Sequence, residues 1–354
     1  MKLRSHYAFI AAAVAMATSP AQAAGVKLLT SIEIPGDPIT DIGIMAIDQS
    51  TGLGYLADKT NKGVVVFDTK TDKFVARVPG FAGRTKDGDV AGPNGMVVVK
   101  DGAEVWASDG DSTIKVIDTK TNTVKATINT GGKKRANGMA LGDNVVIVAN
   151  SNDDPPYLSF VSTETGNKII DKLEIPESAE NLERSAYHRP SGMFYTVIPV
   201  SKAEPTKGLM AQTDPKTGKL VKMHELVGCH PHSLSIVSDT TIFIGCSSVH
   251  GPTPKPGGDM AIFDIPSAKV EGMVKDYGGN GGSTANLKLG QYYHSTSGGI
   301  LMVVDTKTKQ GVQQLKTSRG ARSAAPSLET GRLYVAVNDK NQPCPGCIAV
   351  YAPE

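Results

Sequence analysis

Aromatic residues make up only 5% of the 354-residue chain, and Trp106 is its single tryptophan. So few rings leave no stacking platform for nucleobases or sugars. Neither charge is in surplus: 37 Lys and Arg stand against 35 Asp and Glu. With no basic tract and no interleaving of aromatic and basic residues, nucleic acid is not an expected partner. Beyond residue 23 no apolar run is long enough to cross a bilayer, so no membrane span is expected. The chain also lacks a Gly-x-Ser-x-Gly elbow, a Gly-Lys-Ser/Thr phosphate loop and a His-Glu-x-x-His pair. Cysteine is scarce, at four residues.

Lys2 and Arg4 begin the chain, Phe9 to Met16 are apolar, and Ala21-Gln22-Ala23 is a small-x-small site. This order predicts a secretory signal peptide over residues 1–23. Residues 24–354 are then one domain in a periplasm or secreted, with 35 basic and 35 acidic residues. In an oxidising compartment the four cysteines read first as disulfides, with three pairings open. Cys229 and Cys246 flank a predicted hairpin turning near Ser238-Asp239, and Cys344-Pro345-Gly346-Cys347 is a tight pair. These two local bridges are the preferred pairing. A redox role for the second pair needs an activated thiolate at a helix start, and no helix is predicted there.

What the chain has in abundance is repetition. Val64 to Lys73 reads Val-Val-Val-Phe-Asp-Thr-Lys-Thr-Asp-Lys, and Ile114 to Thr123 repeats it as Ile-Lys-Val-Ile-Asp-Thr-Lys-Thr-Asn-Thr. Further copies centre on Ser162, Asp214, Asp264, Asp305 and, cut short, Ala352. Measured from Asp68 and Asp118 onward, the intervals are 50, 44, 52, 50, 41 and 47 residues. A period of this length built of strands and turns predicts propeller blades. The expectation is an all-β, seven-bladed propeller. Val26 to Ile34, a strand with no earlier partner, should close the ring as the outer strand of the last blade. The glycine-rich stretch Tyr277 to Leu289 reads as irregular and leaves the sixth unit short, so six blades is the alternative count.

In such a blade the start of the inner strand and the loop after the second strand share one face. That face should collect Asp41, Asn94, Asn137, His188, Arg189, His230, His232 and Arg322 from strand starts. From the loops it should collect Asp58, Asp109, Asp111, Asn150, Asn152, Asp153, Asp154, Cys246, His250, Asn338 and Asp339.

The Val-x-Val-Ile-Asp-Thr-Lys-Thr pattern resembles the surface-layer-type YVTN propeller repeat. Pro93-Asn94-Gly95-Met96 and Ala136-Asn137-Gly138-Met139 resemble inner-strand starts of the gluconolactonase and senescence-marker family. That resemblance implies a divalent cation, Ca²⁺ or similar, held by Asn94, Asn137 and Asn150. Asp41 stands loosely where the family has a glutamate, and the family's later Asp-Gly pair is missing. Such a cation would polarise a lactone carbonyl while His188, His230 or His232 activates water. Asn at strand ends also caps turns, which accounts for Asn94 and Asn137 without any metal. A cluster of His188, His230, His232 and His294 instead suits Zn²⁺ or Cu²⁺. Three functions stay open. They are a binding or scaffold protein for a small ligand, metal or periplasmic protein; a cation-dependent lactone or ester hydrolase; and a transition-metal or electron-transfer accessory.

Overall fold

The computed structural model describes residues 23–85, 90–164, 166–247, 258–338 and 343–354. They form seven four-stranded antiparallel sheets and one short hairpin, Gly83–Arg84 with Ala91–Gly92. Ile42–Ile47, Met96–Val99, Ala136–Leu141, Ser185–His188, His230–Ser238, Gly281–Asn286 and Ala324–Pro326 are the inner strands of blades 1 to 7. Each neighbours the next, and the last returns to the first, which closes the ring. The Tyr277 to Leu289 stretch is more regular than its glycines predict. It completes the outer strand Lys269–Gly278 and supplies the inner strand Gly281–Asn286, so the blade count is seven.

The continuous apolar runs have a geometric cause. Successive strand residues point to opposite faces, and a blade is buried on both by its neighbours. Thus Val65 and Phe67 pack with Tyr334 and Val350 of blade 7, whereas Val64 and Val66 pack with Val105 and Ile117 of blade 2. Seven such clusters occupy the seven seams. Outer strands such as Thr123–Asn129 have only one covered side and are mostly exposed.

The repeated Asp-Thr-Lys-Thr is a turn device. The Asp68 carboxylate accepts from the backbone N–H of Lys70 (2.7 Å) and Thr71 (3.0 Å), and Asp305 does the same with Lys307 (2.8 Å) and Thr308 (2.7 Å). Four residues past the anchor the chain turns left-handed, at Asp72, Asn122, Ala268 and Lys309 (φ 53–58°). The Thr hydroxyl ties this turn to the blade's first hairpin, Thr69 donating to Gly52 O and Thr119 to Gly102 O, both at 2.7 Å. Burial opposes ionisation of Asp305, but the backbone N–H groups of Thr308 and Lys307 help to outweigh it and hold its carboxyl below the usual range. The stabilisation is therefore present near neutral pH and is lost as the pH falls through that depressed value. Replacing Asp305 by Ala should cost about 2 kcal/mol at pH 7. In urea melts, the gap between variant and parent should narrow at strongly acidic pH. A gap independent of pH would rule out this role for the carboxylate.

Val26–Ile32 pairs with Ile348–Pro353, from Val26 opposite Pro353 to Ile32 opposite Ile348, as the outermost strand of blade 7. The expected closure is thus present. Both cysteine bridges form, Cys229–Cys246 and Cys344–Cys347.

Candidate functional site: the channel mouth

The inner strands approach closely because small residues stand at their starts. A Cβ on Gly43 would meet Asn94 O at 2.5 Å, and one on Gly95 would meet Asn137 O at 2.4 Å. Only glycine permits that approach of one backbone to another. Asn94 reinforces it, donating its amide to Ala91 O (2.5 Å) and, across the seam, to Ala136 O (2.9 Å). The Asn-Gly pairs are therefore packing devices joining adjacent blades.

Above these contacts the channel opens into a polar cavity of about 110 Å³. Lys59 enters it from blade 1, Arg135 from the lead into blade 3, Arg184 and Glu183 from the lead into blade 4, and Arg322 from that into blade 7. Asn94, Asn137 and Asn280 line the intervals. A vestibule of about 310 Å³ bordered by Asp41, Arg84, Ser297 and Asn338 lies beside it, and Arg322 borders both spaces.

Cations outnumber carboxylates here. Asp41 alone serves three: Lys59 at 3.6 Å, Arg322 at 3.9 Å and Arg84 in direct contact. Glu183 turns toward His232, whose Nδ1 lies 3.6 Å away. Arg135 binds Asn152 Oδ1 at 2.9 Å, and Arg184 reaches the backbone O of Arg322 at 3.5 Å, three blades round the ring. Neither has an ion pair among the described residues.

The titration shifts agree with that surplus. Burial first, then repulsion from Arg322, Arg135 and Arg84, lowers Lys59 to about 8 despite Asp41. Burial, then Arg322, lowers Arg184 to about 10 against the pull of Glu183. Burial opposes ionisation of Asp41, yet Lys59, Arg84 and Arg322 hold it below the usual carboxylate value. A group of either sign responds to the same positive field.

The residues expected at this face divide. Asp41, Asn94, Asn137, His230, His232 and Arg322 lie at or beside the mouth. His188 does not. The inner strand of blade 4 begins at Ser185, so His188 ends it on the opposite face, binding Ser191 Oγ (2.7 Å) and Asp239 O (2.9 Å). Arg189 follows it there and pairs with Asp143 at 3.6 Å. Asn150 is fully buried, its Oδ1 accepting from Thr130 and its amide donating to Ser159, in the seam of blades 2 and 3. His230 binds Pro205 O (2.9 Å), His232 binds Ser247 Oγ (3.1 Å), and buried His294 binds Gly279 O (3.1 Å). Burial first holds His294 down at about 4, and the four histidines do not converge. His250 and Asp339 lie outside the described residues.

As a cation's coordination shell this set does not fit. Asn150 lies in the seam of blades 2 and 3 with its Oδ1 accepting from Thr130, and the Asp41 carboxylate already faces three cations. Among the described residues no three His, Cys, Asp or Glu side chains are grouped to hold a metal.

Five charged residues of the mouth escape sequence reading: Lys59, Arg84, Arg135, Glu183 and Arg184. Lys59 follows the second strand of blade 1 and was within reach of the face argument. Glu183 and Arg184 precede an inner strand without an Asn-Gly marker, and the start expected at His188 lies three residues past the actual one at Ser185.

No family model matches this chain, and no curated protein matches it. Solved structures do. A chain of a mitotic checkpoint complex is 10% identical over 99% of both chains, with a TM-score of 0.72. U3-55K is 9% identical over 93% of this chain and 98% of its own, at 0.69. A chain of Kuenenia stuttgartiensis hydrazine synthase is 12% identical over 86% and 94%, at 0.70. At such identities the likeness is one of fold: the chain is a seven-bladed β-propeller. No helix among the described residues is long and apolar enough to cross a membrane.

Proposed function

We propose that this chain is an exported propeller of YVTN-like repeats that binds a small ligand at the mouth of its central channel. One observation carries the reading: six of the seven blades contribute lining residues to a single polar cavity. A fold alone does not specify a role, but convergence of buried polar groups in a concavity does favour a ligand site. A cavity of about 110 Å³ suits a small molecule or one of its groups better than a protein surface. Export rests on the leader-like residues 1–23. The hydrolase alternative asks Asn94, Asn137, Asn150 and Asp41 to hold a cation in a field of positive charge, and it is the less favoured reading.

Asn280 is exposed at the cavity wall, so Asn280→Trp should fill the space without disturbing the core. Thermal melts against a panel of small anions, neutral sugars and divalent cations test the proposal. Ligand at 100 times its Kd adds about 2.7 kcal/mol, or a rise of several degrees for a domain of this size. The rise should vanish in Asn280→Trp. If no compound class shifts the parent chain, or if the Asn280→Trp variant keeps the full shift, the reading fails.

A further inference from the structure

Resting on that reading of the mouth as a small-ligand site, we propose that the ligand group it takes is an oxyanion. A carboxylate or phosphoryl group would sit between Arg135, Arg184, Arg322 and Lys59. Charge is the first argument. Five cations, counting Arg84, face two carboxylates, and one of those carboxylates is turned toward His232. Partnering is the second. Arg184 lines the channel half-buried, with one long contact to a backbone oxygen and no ion pair among the described residues, and Glu183 offsets its charge only in part. An arriving oxyanion completes that offset, and the planar fork of arginine matches its geometry. Size is the third. An apolar cavity of about 150 Å³ accommodates benzene, so about 110 Å³ accommodates a group of a few heavy atoms. The vestibule beyond Arg322 leaves room for the rest of the molecule.

Lys59 gives the site a pH dependence. Asp41 faces it from the lead into the inner strand of blade 1, Arg322 from the lead into blade 7, Arg135 from the lead into blade 3 and Arg84 from the short hairpin. Its ammonium, already lowered to about 8, deprotonates as the pH rises, and the site then loses one positive charge.

The test is calorimetry on the chain at low ionic strength, with inorganic phosphate and succinate as separate probes and glucose and Ca²⁺ as controls. One or both anions should bind one per chain in the micromolar range. Phosphate alone would identify a phosphoryl group, and succinate alone a carboxylate. Arg184→Met and Arg322→Met should each weaken binding at least about 30-fold. Arg184→Met should also melt close to the parent, because the guanidinium makes only one long hydrogen bond to the protein. Arg322 is half-exposed, so its variant serves as the check if Arg184→Met does not fold. Succinate, fully ionised by pH 7, should bind about tenfold more weakly at pH 9.5 than at pH 7, and Lys59→Gln should flatten that profile. Two results overturn the proposal: no anion binding tighter than about 1 mM, or an affinity unchanged in both arginine variants. If glucose or Ca²⁺ binds instead and Asn280→Trp abolishes it, the small-ligand reading survives while the oxyanion falls. If no probe binds, the oxyanion falls, and the small-ligand reading falls with it only if the thermal-melt panel also gives no shift.

Discussion

A chain lacking residues 24–34 is expected to lose its native fold at ordinary temperature. Those residues carry the outer strand of blade 7, and blade 7 is otherwise built from the opposite end of the chain. Val26 and Ile32 are 1% and 2% exposed, and burying such side chains contributes about 1.5–3 kcal/mol each. The ladder to Ile348–Pro353 adds backbone bonds at about 1 kcal/mol apiece. Further ties would also go: Val26 N–H to Gln313 Oε1 at 2.8 Å, and Gln291 Nε2 to Ala24 O at 2.6 Å. The total is on the order of 5–10 kcal/mol, comparable with the whole stability of a domain. Truncation also bares the edge of Ile348–Pro353, which invites pairing between chains. Circular dichroism and light scattering should show unfolding or association, and a synthetic peptide of residues 24–34 added in excess should restore the native melt. A truncated chain that melts like the parent would show that the ring does not depend on this strand.

Asp41→Asn separates the two chemistries of the channel mouth, because they predict opposite signs. If Asp41 were a cation ligand, the variant would lose divalent metal affinity. On the oxyanion reading it removes the one carboxylate that offsets Lys59, Arg84 and Arg322, and phosphate or succinate should bind about tenfold tighter. The same change should lower stability in the absence of ligand by about 1 kcal/mol at pH 7. Added anion should return that stability. Weaker anion binding in Asp41→Asn, with loss of a bound divalent cation, would reverse the assignment.

Much of the fold was legible in the chain because it is written in local, repeated signals. Val64 to Phe67 is apolar at every position since both faces of its strand meet neighbouring blades. Asp68, Asp118 and Asp305 recur because each folds the same turn with its own carboxylate. The unpartnered first strand and the short last unit implied one another. The Cys229–Cys246 bridge followed from a hairpin that brings the two residues near each other, although the register sets Cys246 opposite Pro231. The sixth blade was harder, since glycines that usually break strands here let Gly281 and Gly282 pack close to the backbone of Thr296 and Arg322.

The site was legible only in outline. Its face could be anticipated from blade topology, and Asp41, Asn94, Asn137, His232 and Arg322 do lie there. Its charge could not. The chain as a whole is nearly neutral, and Lys59, Arg135, Arg184 and Arg322 are far apart along it with no motif around any of them. Repeats and turns arise from interactions between residues close in sequence, so the order of residues is enough to specify them. The surplus of cations arises where seven strand starts meet about one axis. There the direction of each side chain, and whether Asp41 or Glu183 reaches it, is set by packing between blades.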